Sequence, residues 1–302
     1  MTVLSGGRLK AADELGYVFD STASNLRSQR TGFVAVTIPS INNANFADTV
    51  GGLSEVLGKA GMQTLLGYTN YDVHKEEELI EQLLRRKPQA IVVTGGKHTL
   101  RGRRLLENAH VPVIETWDQP SEPIGYYVGF SNAGAVRAMV DHFVQAGYRR
   151  IAFLGGDASR DTRGSDRRHG FIEAMKHYGL DPTRLIAAGT PPISMREGAD
   201  AMATLLEQLP DTEAVICVSD LSAFGALAEC QRRNVSGPHQ LAIGGVGQYQ
   251  IGHNCAPTLT TIDAHAREIG QRAGELILTV LGGGPAGNVA IEPRLILRES
   301  SN

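Results

Sequence analysis

"FVAVTIPSINNANFADTVGGLSEVLGKAGMQTLLGY", Phe33 to Tyr68, holds the unit that decides the fold. "FVAVTI" (33–38) is an apolar, β-branched run short enough for a buried strand, and "NFADTVGGLSEVLGKAG" has helical period. "QTLLGY" (63–68) returns to strand character. A strand, a crossover helix and a second strand make a parallel βαβ unit.

The same rhythm runs outward from there. It passes through "VHKEEELIEQLLRRK", "AIVVTG" (90–95), "VPVIET" (111–116), "YYVGF" (126–130), "AGAVRAMVDHFVQAG" and "RIAFLGG" (150–156). It goes on through "HGFIEAMKHYG", "REGADAMATLLEQL", "AVICVS" (214–219), "DLSAFGALAECQRRN", "LAIGGVG" (241–247), "TLTTID" (258–263) and "AREIGQRAGELILTVLGGG". Val/Ile-rich strands alternating with helices predict an α/β fold of parallel sheets with helices on both faces. A chain of 302 residues has room for two such sheets in tandem.

Ligands of open parallel sheets sit beyond the carboxyl ends of the strands. The corresponding loops are "PSINNANF" (39–46), "TGGKHT" (94–99), "ETWDQP" (115–120), "GFSNAG" (129–134), "GGDASRDTRGSDRR" (155–168), "VSDLS" (218–222) and "GGVGQYQ" (244–250). Their Asn, Ser, Asp, Arg and Gly form a polar ring suited to a hydroxylated, anionic small molecule.

Composition narrows the function. The 29 Lys and Arg against 32 Asp and Glu leave a net charge of -3, so a generally basic nucleic-acid surface is excluded and any DNA contact must be a local patch. Cys217, Cys230 and Cys255 form no CxxC pair, and reduced thiols suit a cytoplasmic setting. "MTVLSGGRLKAADELG" has no signal-peptide core, and no window approaches the roughly 18 apolar residues of a membrane span. A cytoplasmic protein without membrane partners is expected.

Enzyme motifs fall short. "TGGKHT" lacks the earlier glycine and the following Ser/Thr of a phosphate loop. There is no G-x-S-x-G elbow, and His98, His169, His253 and His265 are scattered among different segments. No histidine pair has metal-ligand spacing. Neither catalysis nor a cofactor or metal is expected. A solute-binding protein and a ligand-controlled DNA-binding regulator remain, since two α/β lobes closing on a small molecule serve both. The segment ahead of Gly32, "RLKAADELGYVFDSTASNLRSQRTG", separates them: it reads as an amphipathic helical stretch, a turn and a second short helix, where a solute-binding protein would carry a signal peptide or begin close to its first strand.

"AADELGYVFDSTASNLRSQRTGFVAVTIPSINNANFADTVGGL" resembles the junction between DNA-binding headpiece and core in the lactose/galactose-repressor family. The similarity continues through "VPVIETWD", "VGFSNAG", "GYRRIAFLGG", "RRHGFIEAM", "VSDLSAFGALAECQRRN" and "PTLTTID". "ETWD", "VGFSN" and "ALAECQRRN" are most similar to the gluconate-utilisation repressors of that family. The resemblance implies a two-lobed, periplasmic-binding-protein-like (type I) core behind the remnant of a helical headpiece. Headpiece and hinge take up 1–31, the first lobe 32–146 with about 264–292, and the second 147–263 with about 293–302. It implies a homodimer whose core lobes associate, for which the small and apolar residues of "NFADTVGGLSEVLGKAG" offer a surface, and a repressor that binds operator DNA.

In the family the segment matching Ser21 to Ser28 becomes a hinge helix on DNA. Its leucine, here Leu26, wedges into the minor groove, with Arg27 and Arg30 as the local positive charge. The helix-turn-helix that reads the major groove should precede Arg8, where only "MTVLSGG" stands. The expectation is a truncated chain or a start assigned too far downstream, and specific operator binding that needs the absent headpiece.

For the effector, the resemblance carries over residue by residue. Asn45 and Phe46 match the pair placed over the ligand, Arg167 the arginine that contacts the effector, and Ser131 with Asn132 a polar pair after "YYVGF". Ser219 stands where Asn is usual, with Asp220 expected to cap the following helix. Gly247 stands where many sugar-binding members carry Asp, and Gln248 offers a neutral donor in its place. Absence of that anion, together with Arg167 and with Lys97, His98 and Arg163 nearby, favours a sugar acid such as gluconate over a neutral sugar. Trp117, the single tryptophan, is either a platform under the ligand or part of the core.

Overall fold

The computed structural model describes residues 14–16, 31–156 and 160–302. Leu26 and Arg27 lie outside the described residues. The chain divides into Met1–Gly32 and Phe33–Asn302. Of the first unit, Glu14–Gly16 and Thr31–Gly32 are described, with Leu15 exposed.

The second unit is built on two six-stranded sheets. The first contains β1 (Phe33–Ile38), β2 (Gln63–Tyr68), β3 (Ile91–Thr94), β4 (Val113–Thr116), β5 (Tyr126–Gly129) and β11 (Val289–Ala290), in the order β11-β5-β4-β3-β1-β2 and all parallel. The second contains β6 (Ile151–Gly155), β7 (Leu185–Ala187), β8 (Ala214–Cys217), β9 (Ala242–Val246), β10 (Thr260–Asp263) and β12 (Arg294–Ile296), in the order β12-β10-β9-β8-β6-β7, with only β12 antiparallel. β1 and β2 pair from Phe33 opposite Gln63 to Ile38 opposite Tyr68, so the opening βαβ unit has the expected ends.

The described helices of this unit are α1 (Ala44–Lys59), α2 (Val73–Arg85), α3 (Leu100–Glu107), α4 (Asn132–Gln145), α5 (Thr162–His177), α6 (Met195–Gln208), α7 (Asp220–Arg232) and α8 (Ala266–Leu281). Side-chain oxygens at Asn43, Asp72, Thr99, Ser131, Asp161, Ser194 and Ser219 cap the first seven, satisfying amides at the helix ends that would otherwise be orphaned.

Helix placement moves one lobe boundary. α4 packs on β8, β10 and β12, and a side chain at Gly244 of β9 would meet the Met139 sulfur, so α4 covers the second sheet although the sequence places 132–145 in the first lobe. The apolar stripe of α4 (Val136, Met139, Val140, Phe143) demands burial but does not say under which sheet. α8 packs on β4 and β5 of the first sheet. The chain therefore passes between lobes after β5, after β10 and between β11 and β12.

Two further expectations change. The helix expected from His169 begins at Thr162, two turns into the segment read as a loop. Its buried face there is Arg163, Gly164, Arg167 and Gly170, which carries no hydrophobic period. And Gly52 of α1 is used within the chain. A methyl at Gly52 would run into the Arg267 carbonyl and one at Gly270 into the Thr49 carbonyl, so the α1 and α8 backbones lie in contact. Gly52 is absorbed by that helix pair and offers nothing to a partner subunit.

Candidate functional site

The segments after the carboxyl ends of β1, β2, β4, β6, β7, β8 and β9 face each other across a cleft between the lobes. The first lobe supplies Asn43, Asn45, Phe46, Tyr71 and Trp117. The second supplies Asp161, Arg163, Arg167, Val218, Ser219, Gly247 and Tyr249, with Pro191 and Ile193 at its edge.

The first-lobe wall is aromatic. Trp117 stands edge-on to Phe46 (centroids 5.3 Å apart, planes at 71°) and to Phe130 (5.9 Å, 68°). Its indole N–H donates to Thr49 Oγ1 at 3.0 Å. Trp117 is thus a core residue, 3% exposed, that also lines the cleft. Trp117 and Tyr71 take left-handed backbone conformations at φ 66° and 57°, a strain that non-glycine residues keep where surrounding structure imposes it.

The second lobe contributes two guanidinium groups to the cleft. Arg163 lies over Phe46 and Tyr71, 5.6 and 6.0 Å from their ring centres, and donates to the Thr94 carbonyl at 3.3 Å. That cation–π placement keeps a charge against an apolar wall. Arg167 donates Nε–H to Asn132 Oδ1 at 2.9 Å and Nη1–H to the Val218 carbonyl at 2.7 Å. Burial, the dominant influence, lowers the Arg167 pKa. Both are almost fully buried, yet among the described residues neither has a carboxylate within ion-pair distance. Other cations near the rim are paired: Lys97 with Asp166 at 2.6 Å and Arg160 with Asp72 at 3.4 Å. Asp161 shares the cleft but is the α5 cap, accepting from the Gly164 amide at 3.0 Å.

Of the ten effector residues expected from sequence, Asn45, Phe46, Arg163, Arg167 and Ser219 line this cleft. Asn132 is behind it, bonded to Arg167 and, through its amide, to the Trp117 carbonyl at 2.9 Å. Ser131 is outside it, capping α4 through a 3.0 Å bond from the Gly134 amide. Lys97 lines a smaller neighbouring pocket, where its ammonium is held by Asp166.

His98 is buried in the first lobe, away from the cleft. Its Nδ1 lies 2.7 Å from Glu76 Oε2 and its Nε2 3.5 Å from Glu115 Oε1. The second contact is too long for a well-formed hydrogen bond and acts through charge. Burial pushes His98 down, but Glu115 and Glu76 together outweigh it and raise the imidazole to about 9. It is an internal counter-ion. Gln248 turns away as well, its oxygen accepting from Arg298 Nη2 at 2.8 Å and its nitrogen 3.2 Å from His253 Nε2.

The cap of α7 is Ser219, not Asp220. The Asp220 carboxylate is wholly buried, accepts from Thr261 Oγ1 at 2.6 Å and from the Tyr249 amide at 2.9 Å, and burial raises it to about 6. Tyr71, Asp161 and Tyr249 are cleft residues that sequence reasoning passed over, although the last two fall in loops at strand ends.

Residues 140–301 match the model of the periplasmic binding protein-like domain. Over 293 residues the chain is 33% identical to the HTH-type transcriptional regulator GntR of Pseudomonas aeruginosa, an alignment covering 96% of this chain and 85% of that protein. It is 31% identical over 271 residues to the HTH-type transcriptional regulator IdnR of Escherichia coli, covering 89% and 80%. The crystal structure of a LacI family transcriptional regulator from Silicibacter pomeroyi superposes with a TM-score of 0.86 at 39% identity, over 89% of this chain and 99% of that one.

Proposed function

Because this chain belongs to the LacI (lactose/galactose-repressor) family of transcriptional regulators, we propose that its interlobe cleft binds a sugar acid such as gluconate and that this binding controls its hold on operator DNA. Regulators of the family bind operator DNA and small-molecule effectors, and this chain is a regulator, not an enzyme.

One observation carries the sugar-acid reading: Arg163 and Arg167 are buried in the cleft and, among the described residues, neither has a carboxylate within ion-pair distance. Burying a cation is costly unless an anion meets it. A ligand carboxylate supplies that anion, and the planar guanidinium takes it bidentately. Asp161, Asn45 and Ser219 accept and donate toward hydroxyls, while Trp117 and Phe46 back the carbon chain. Asp161 also favours a second reading, a neutral sugar, since a carboxylate is a strong acceptor for sugar hydroxyls.

The protein acts in this proposal as a cytoplasmic homodimeric repressor, with Leu26 and Arg27 at the minor groove. No described helix is long and apolar enough to cross a membrane. Sedimentation at micromolar concentration tests the dimer, and a monomer would remove it. Titration calorimetry with gluconate and glucose tests the effector. Tight gluconate binding with none of glucose supports the acid, and preference for glucose sinks it. Thermal shift gives a quick screen, because ligand at a hundred times Kd adds about 2.7 kcal/mol to stability.

A further inference from the structure

Tyr249 places a buried phenol in the cleft. The residue is 7% exposed, yet its Oη has no hydrogen-bond partner among the described residues. Buried polar groups are nearly always paired, so an orphan in a cleft marks a bond reserved for something that enters. The ring is held in place. Its backbone amide donates to the buried Asp220 carboxylate at 2.9 Å, its carbonyl accepts from the Gly252 amide at 2.9 Å, and its face tilts against Phe224 with centroids 6.4 Å apart.

Across the gap stands Asn45 on the first lobe, which lines the same cleft. Gly247 keeps the space between them open. A Cβ there would lie 2.7 Å from Asn45 Nδ2 and 3.0 Å from Tyr249 Cε1, so the two side chains flank one point.

We propose that Tyr249, with Asn45 opposite, is a specificity-determining residue that hydrogen-bonds a hydroxyl of the effector and so selects polyhydroxylated ligands over plain carboxylates or deoxy compounds. This rests on the cleft being the effector site. It adds a reader of the hydroxyl end to the arginines that take the carboxylate, and a site built to bond a hydroxyl discriminates strongly against analogues lacking it.

Tyr249→Phe removes the one oxygen and keeps the ring. Wild type and variant are titrated with gluconate, its monodeoxy analogues and glucose, and melted without ligand. The expected result is an affinity for gluconate about tenfold lower in the variant, one monodeoxy analogue bound equally by both proteins, and a ligand-free melting temperature no lower than wild type. Undiminished gluconate binding by Tyr249→Phe, or a lower ligand-free melting temperature, overturns the proposal, since the latter means that the hydroxyl already has a partner. If wild type takes glucose and not gluconate, the sugar-acid reading falls while Tyr249 is judged by the same comparison on glucose. If wild type binds neither, both fall.

Discussion

Arg167 donates its Nε–H to the side-chain oxygen of Asn132 at 2.9 Å, and the Asn132 amide in turn donates to the Trp117 carbonyl at 2.9 Å. One asparagine therefore ties the cleft's main cation, on the second lobe, to the loop that carries its aromatic wall, on the first. Asn132 does not line the cleft. It holds the guanidinium by Nε while the Val218 carbonyl holds Nη1, which leaves Nη2 without a hydrogen-bond partner among the described residues.

Two substitutions at Asn132 separate positioning from charge. Asn132→Ala frees the guanidinium but leaves its charge, and should weaken gluconate binding by about 1 kcal/mol, the worth of one hydrogen bond. Asn132→Asp places an anion against Arg167 and should weaken binding by more, about tenfold or beyond. Calorimetry and thermal melts on both variants decide. Equal losses would mean that the asparagine does not govern the charge offered to the ligand.

Arg167→Ala removes the charge-assisted contact outright. The expected cost is about 2–4 kcal/mol of gluconate affinity, tens to hundreds of fold. Arg167→Lys should restore part of it, because an ammonium cannot reproduce the planar fork. Unchanged affinity in Arg167→Ala would end the assignment of this residue to the carboxylate.

Where the sequence was legible, its pattern and the physics of burial agreed. β1 and β2 are bounded as their apolar runs predict, and the loops at strand ends do contain the cleft. The misreadings share a cause: long-range contacts decided them. The start of α5 was hidden because its buried face is arginine and glycine rather than aliphatic. α3, "LRGRRLLE", buries only Gly102 and Leu106, too little for a periodic signal. β7, β11 and β12 are two or three residues long. Lys97 and His98 are neighbours in sequence, yet one meets Asp166 across the cleft rim and the other two glutamates inside the first lobe. Nothing local in "TGGKHT" distinguishes them.

Gly247 is constrained by its backbone. Its φ is +142°, a region that residues with side chains avoid, and a Cβ would press on Asn45 and Tyr249. Sequence comparison alone suggests that Gly247→Asp restores an acceptor and admits neutral sugars; the geometry predicts otherwise. Both Gly247→Ala and Gly247→Asp should cost stability, on the order of 1–3 kcal/mol, and lose gluconate without gaining glucose. Calorimetry with the two ligands on Gly247→Asp settles it, and newly acquired glucose binding would show that the loop rearranges freely.

The last prediction concerns pH. His98, with its side chain 1% exposed, stands between Glu76 and Glu115, and its pKa rises from an ordinary 6.5 to about 9 despite burial. The folded state therefore holds this proton more tightly than the unfolded chain. Its contribution to stability is complete below about pH 6.5 and is lost as pH climbs through about 9, which is the direction linkage requires for a raised pKa. Over that window the loss is about 3 kcal/mol. His98→Gln has no proton to lose, so the variant should be less stable at pH 7 and lack this part of the decline. Urea midpoints for both proteins at pH 6.5, 7.5 and 9 isolate the effect, because other titrating groups cancel in the difference. The gap between wild type and variant should be widest at pH 6.5 and close toward pH 9. Parallel curves would show that the imidazole is not charged between its two glutamates.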